Sequence, residues 1–339
     1  MKSFEEFATY REIQSQPEAW QQAIERTREV SLPKAKEYQE VVFTGCGSTY
    51  YLALAAAALY QELTGCAARG VPAGELLFHP HTILTDHKTL LVAISRSGTT
   101  SETVKAVENF RAEKRGEIVV ISNYGEALAP LADVNIVIEN GQEESVAQTR
   151  SFASMYVAAT ALSARMAGRQ DLVKAMDGLP DAANSVINNY EAFARELGSN
   201  LDFDRFYFLG SGSRYGLACE LNLKMKEMTL THSEPFHFME FRHGPMSMVN
   251  ENAVVIGMLS DSNRAQEARV LAEMKALGGT VIGLGEEETD IVFESKIPES
   301  VRGALYLPAL QLMAFYRSVA KGLNPDRLKN LTAVVQLNL

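Results

Sequence analysis

The segment Phe206-Tyr207-Phe208-Leu209-Gly210-Ser211-Gly212-Ser213-Arg214-Tyr215 repeats Val41-Val42-Phe43-Thr44-Gly45-Cys46-Gly47-Ser48-Thr49-Tyr50 at an offset of 165 residues. The repetition continues downstream. Val254-Val255-Ile256-Gly257-Met258 takes the place of the apolar run before Ser95, and Thr280-Val281-Ile282-Gly283-Leu284 takes the place of Ile118–Ser122. Each copy reads as apolar run, glycine turn and helical pattern. Short continuous apolar runs are how strands covered on both faces are written, and alternation with helices makes the sheet mostly parallel. A chain that does this twice is two α/β units of one topology in tandem.

Taken in order, residues 3–31 read as two helices, the second beginning near Pro17, and form an arm over 1–34. The first unit spans 35–190. Its strands fall at Val41–Thr44, Ile83-Leu84, Leu90–Ile94, Ile118–Ser122 and Val134–Ile138, with helices at Leu52–Leu63, 102–113 and 128–131. A polar entry at Glu143–Phe152 leads into a long Ala- and Met-rich helix. The second unit spans 198–325, has a long loop over 231–245 and ends in a helix from Tyr306 to Lys321; a tail over 326–339 follows.

The chemically richest stretch is Leu90-Leu91-Val92-Ala93-Ile94-Ser95-Arg96-Ser97-Gly98-Thr99-Thr100-Ser101-Glu102-Thr103. A buried strand ends in hydroxyls and one glycine, and a helix begins. Such a junction offers unpaired N–H groups and the positive end of a helix dipole, a site for an oxyanion, phosphate above all. The plain alternative is a Ser/Thr N-cap, but a cap needs one hydroxyl and six are present. Gly45-Cys46-Gly47-Ser48-Thr49-Tyr50 is a second junction of this type. Tyr50 in place of a third glycine argues against a dinucleotide fingerprint, and no Gly-Lys-Ser/Thr follows to make a P-loop. The second unit carries Ser260-Asp261-Ser262-Asn263 in place of the hydroxyl loop, and an aspartate there repels phosphate. One sugar site per chain is expected, on the first unit.

Composition narrows the class. With 339 residues, 46% hydrophobic and 22% charged, the chain suits a water-soluble protein of two domains. No apolar stretch is long enough for a membrane span, and the N-terminus lacks a signal-peptide core, so no membrane partner and a cytoplasmic location are expected. A net charge of −10 argues against nucleic acid and means that local donors must hold an anionic substrate. Cys46, Cys66 and Cys219 show no metal spacing and no disulfide framework.

Glu220, Lys224 and Glu227 lie at i, i+4 and i+7, on one helix face. A salt-bridged solvent face is one reading. Leu217, Leu221, Met225 and Met228 beside them favour the other, buried carboxylates around a lysine poised for proton transfer. Among His232, His237 and His243, spacings of five and six residues are no metal pattern, and each can be structural. His243, beside Gly244-Pro245, is the one suited to acid–base work.

Together these motifs resemble the sugar isomerase (SIS) domain family, specifically the double-SIS isomerase half of glucosamine-6-phosphate synthase and its stand-alone relatives, over about residues 35–335. The resemblance rests on Gly45–Tyr50, Ser95–Thr100, Glu144–Arg150, Lys224–Glu227 and Glu240–Pro245. It implies an α/β fold of two tandem SIS domains, each a mostly parallel sheet flanked by helices, behind an N-terminal helical arm. It assigns the sugar phosphate to Thr49, Ser95, Arg96, Ser97 and Thr100, and the sugar chain to Val146, Ala147 and Gln148. Glu227 matches the base that moves a proton between C1 and C2, Lys224 a neighbouring active-site lysine, and His243 a ring-opening histidine supplied by the partner of a homodimer. The sequence departs from the synthase in two ways. It begins at the arm, with no N-terminal cysteine nucleophile, so no glutaminase domain is expected. Ala333 stands where the synthase has a Schiff-base lysine.

The expected activity is an amino-sugar phosphate isomerase/deaminase converting glucosamine 6-phosphate to fructose 6-phosphate and ammonia. A 6-phosphofructosamine deglycase and a plain aldose–ketose isomerase are the alternatives. From another class, a phosphosugar-sensing regulator would keep the fold, but no helix-turn-helix segment or basic patch supports it. Proton transfers beside a carbonyl or imine need no nicotinamide, pyridoxal or metal, so no cofactor is expected.

Overall fold

The computed structural model describes residues 3–332, 334 and 337. Helices α1 (Ala8–Gln14) and α2 (Gln16–Glu29) come first. Then follow β1 (Glu40–Gly45), α3 (Ser48–Thr64), β2 (Ala68–Pro72), α4 (Ala73–Phe78), β3 (Thr89–Ser95), α5 (Ser101–Ala112), β4 (Ile118–Ser122) and β5 (Val134–Val137). After α6 (Arg150–Met166), α7 (Gln170–Ala175) and α8 (Leu179–Ser199) come β6 (Arg205–Leu209), α9 (Arg214–Thr229), β7 (His232–Phe236), α10 (Phe238–Phe241), β8 (Ala253–Met258), α11 (Arg264–Ala276), β9 (Thr280–Gly285), β10 (Ile291–Val292) and α12 (Pro308–Ala320).

Among the described residues there are two parallel five-stranded sheets, ordered β2-β1-β3-β4-β5 and β7-β6-β8-β9-β10. The tandem repeat is therefore a repeat of topology. The chain divides into two compact units. One holds the residues up to Gln14, Glu144–Thr149 and Gly178–Leu331; the other holds Ser15–Glu143, Arg150–Asp177 and the described residues after Leu331.

In the unit of the first sheet, all of β3 is buried, as its unbroken apolar run demands. Val42, Leu91, Ala93 and Val120 face Leu76 of α4 and Ala106, Val107 and Phe110 of α5. On the opposite face Phe43 meets Tyr60 of α3. In the other unit Tyr207, Leu209 and Val255 pack on Phe238 and Phe241 of α10 and on Val270, Leu271 and Met274 of α11.

Two expectations fail in the same way. Ile83 and Leu84 form no strand; they follow a short 3-10 turn and plug the core, and the edge strand is Ala68–Pro72. The stretch 231–245 is no continuous loop; it holds the edge strand β7 and the short α10. Both edge strands contain proline and polar residues, which an edge tolerates and a central strand does not. In α10, Phe238 and Phe241 are fully buried within their own unit, so no partner subunit is needed to cover them.

Candidate functional site

In an order of 2-1-3-4-5 the direction of winding reverses between β1 and β3, and ligands of such sheets bind beyond the strand C-termini at that switch. Thr44 lies opposite Ala93 across the β1–β3 pair. The Gly45–Ser48 turn and the Ser95–Thr100 loop therefore leave the sheet side by side. Gly45 is required, because a Cβ there would stand 2.5 Å from Thr49 Oγ1. Gly98 has φ of 69°, a left-handed conformation that lets the loop fold back.

The loop hydroxyls are placed by local bonds. Ser95 Oγ accepts the Gly98 N–H at 3.1 Å, and Ser97 Oγ accepts the Thr99 N–H at 3.2 Å and the Thr99 hydroxyl at 3.0 Å. Thr100 is the N-cap of α5, yet its side chain makes no capping hydrogen bond. The start of this helix is thus left by its cap residue for another acceptor, as an anion site requires. Thr49 is buried in the first turn of α3, where its hydroxyl accepts the Cys46 N–H and donates to the Cys46 carbonyl, both at 2.9 Å. Arg96 is also buried and pairs with Glu143 at 3.7 Å. Glu143 accepts the Ser151 N–H at 3.0 Å and the Ser151 hydroxyl, so the polar entry at Glu143–Phe152 supplies a cap for α6.

The other unit holds the proton-transfer candidates. Along α9, Lys224 is 1% exposed at the side chain and Glu220 is fully enclosed, which rules out a solvated charge face. The ammonium lies 3.4 Å from Glu220 and 2.5 Å from Glu227. Glu227 keeps 20% of its side chain exposed, so it alone of the three reaches outward. One cation between two carboxylates leaves a negative charge at the accessible end, the arrangement a general base needs.

Val146, Ala147 and Gln148 lie in the short segment that belongs to this unit, and Ala147 is fully buried. Its anchors were not recognised in the sequence. Glu12 accepts the N–H groups of Glu144 and Ser145 at 2.6 and 3.2 Å and the Ser145 hydroxyl at 2.5 Å. Asp326 accepts the Ala8 and Thr9 N–H groups, while its own carbonyl accepts the Val146 N–H at 3.1 Å. The sequence signal is slight, a carboxylate beside Ile13 on a helix that also buries Ala8 and Thr9.

His243 is exposed just after α10. His237 stacks on Tyr215 with centroids 3.9 Å apart, and burial pushes its imidazole below the ordinary histidine range despite nearby Glu240. His237 is a packing residue. Burial likewise raises the Cys46 thiol and pushes Cys219 up to about 11, so neither is an activated nucleophile. Among the described residues no cluster of His, Cys, Asp and Glu has the make-up of a metal site, and no helix is long and apolar enough to cross a membrane. Ala333 lies outside the described residues.

Twin parallel sheets of this order, with a hydroxyl loop at a switch point, define a tandem doubly wound α/β architecture with an anion-type junction. The SIS domain family matches residues 36–165 and 202–314, and the chain belongs to that family. It is 30% identical over 342 residues to a glutamine–fructose-6-phosphate aminotransferase (isomerizing) of Pyrococcus horikoshii, covering 96% of this chain and 57% of that protein. The chain thus spans little more than half the length of such relatives. A glucosamine-6-phosphate deaminase from Thermotoga maritima shares the fold with a TM-score of 0.81 at 26% identity, over 97% of this chain and all of that one. A tagatose-6-phosphate ketose/aldose isomerase from Escherichia coli superposes with a TM-score of 0.81 at 23% identity, covering 94% of this chain and 95% of that one, a likeness of fold.

Proposed function

We propose that the protein is an amino-sugar 6-phosphate isomerase/deaminase that converts glucosamine 6-phosphate to fructose 6-phosphate and ammonia. The observation that carries this is the enclosed Lys224 flanked by Glu220 and Glu227, a charge arrangement a mere sensor of phosphosugars does not need. On this reading Ser95, Ser97 and Thr100, with Thr49 and Arg96, hold the phosphate, and Val146, Ala147 and Gln148 line the sugar chain. Glu227 takes the C2 proton of the opened sugar and returns it to C1. The resulting ketimine adds water and releases ammonia, leaving the ketose. Lys224 fixes Glu227 and offsets charge beside it.

The likeness to the Thermotoga maritima deaminase supports this substrate. The fold shared with a ketose/aldose isomerase keeps plain isomerisation as the second reading, for which the same base suffices. A homodimer whose partner lends His243 for ring opening belongs to the proposal, on the family motif and on the exposure of His243 near Met239 and Met248. A cytoplasmic enzyme with domains at 1–34, 35–190, 198–325 and 326–339 completes it.

Ammonia release over a panel of hexosamine, hexose and fructosamine 6-phosphates tests the reading. Turnover of glucosamine 6-phosphate is expected; isomerisation of hexose phosphates without ammonia would favour the second reading. Ser97→Ala and Thr100→Ala should each raise KM for the 6-phosphosugar. A hydrogen bond to a charged group is worth about 1.5–3 kcal/mol, hence roughly ten- to hundred-fold. An unchanged KM in both variants places the phosphate elsewhere.

A further inference from the structure

The second unit has its own switch point, between β6 and β8, where Leu209 lies opposite Gly257. The residues leaving the sheet there keep the register of the first unit. At the offset of 165, Arg214 stands for Thr49, Ser260 for Ser95 and Glu267 for Glu102. One loop bond is preserved outright: Ser260 Oγ accepts the Asn263 N–H at 3.0 Å, as Ser95 Oγ accepts that of Gly98. The close turn is preserved as well, since a Cβ on Gly210 would stand 2.5 Å from the Arg214 carbonyl oxygen.

What differs is the content of the crevice. Glu299 Oε2 accepts the Asp261 and Ser262 N–H groups at 3.1 and 3.4 Å, and its Oε1 lies 2.5 Å from Arg214 Nη1. Glu267 Oε2 accepts the Ser260 N–H at 2.6 Å and the Ser260 hydroxyl at 3.0 Å, and its Oε1 lies 3.3 Å from Arg214 Nη2. The Arg214 side chain is 11% exposed. Consecutive loop amides, a serine hydroxyl and a buried guanidinium are the donor set of an oxyanion site. Here two carboxylates of the same chain take those donors. Asp261, the residue that bars phosphate on sequence grounds, turns its carboxylate to Arg302, which also faces Glu286. The charge in the loop is therefore offset from behind.

We infer that the second unit retains an anion cradle, built from the Asp261 and Ser262 N–H groups and the Arg214 guanidinium, that the carboxylate of Glu299 occupies, an internal stand-in for phosphate. The cradle is plugged rather than dismantled. If the phosphate assignment in the first unit holds, each chain takes one phosphosugar because its second cradle is filled by its own glutamate.

Equilibrium dialysis with inorganic phosphate at matched ionic strength tests this on the full chain. Glu299→Ala removes the plug and should gain one phosphate site per chain over wild type. The difference is read, so phosphate held by the first unit cancels; a rise from none to one would fault the first-unit assignment and leave this one standing. Adding Arg214→Met to Glu299→Ala should abolish the gain. A folded Glu299→Ala protein without an extra site, or a gain that survives Arg214→Met, overturns the inference. If the alanine variant does not fold, Glu299→Gln keeps an acceptor on the loop amides while leaving Arg214 short of a counter-charge. Its melting temperature should then rise more in phosphate than that of wild type, and an equal response overturns the inference.

Discussion

Glu227→Gln should lower kcat about a hundred- to ten-thousandfold while leaving KM for the 6-phosphosugar nearly unchanged. The carboxamide keeps the size of the side chain and an oxygen that can accept the Lys224 bond, which runs at 2.5 Å in the wild type. It removes only the capacity to take a proton. Because the phosphate is assigned to a separate loop, binding should survive. The second readout is exchange of the substrate C2 hydrogen with solvent, which should stop along with turnover. A purely structural Glu227 would lose stability and keep exchange, and Glu220 would then be the next candidate. Glu220 has the weaker claim, since its side chain is fully enclosed whereas that of Glu227 is one-fifth exposed.

The sequence made some of this legible and hid the rest for physical reasons. Buried parallel strands are written as unbroken apolar runs, so β3 was placed to within a residue at each end. The α9 charges were legible because helical spacing puts them on one face and their neighbours are apolar. The strands β2, Ala-Arg-Gly-Val-Pro, and β7, His-Ser-Glu-Pro-Phe, were not, because an edge strand with a covered and an open side imposes no apolar pattern. The anchors of the 144–149 segment were hidden too. Glu12 and Ser145 are 133 residues apart, and no local pattern reports a bond closed over that distance. Asp261 shows the opposite risk. Its charge reads from the sequence as hostile to phosphate, but its carboxylate turns to Arg302, and the groups that fill the crevice are Glu267 and Glu299, which lie outside the loop motif.

Lys224→Met should destabilise the protein by about 3–5 kcal/mol, the cost of stranding a buried charge. The ammonium is almost wholly enclosed, and so is Glu220, its partner at i,i+4. Methionine fills the space and removes the ammonium that stands 3.4 Å from the Glu220 carboxylate. Glu227 suffers less, because its exposed fraction reaches water. Replacing both enclosed groups, Lys224→Met with Glu220→Leu, removes the charge together with its counter-charge and should recover most of the loss, since an apolar pair of similar volume is often as stable as the ion pair it replaces. The midpoint of urea unfolding reads both effects, provided the slope is unchanged. A surface pair would cost at most about 1 kcal/mol and show no such recovery. A small loss for the single variant would therefore contradict the enclosed geometry, and with it the argument that Lys224 tunes its neighbour. If stability returns in the double variant while turnover does not, the ion pair is retained for the reaction and against the interest of the fold.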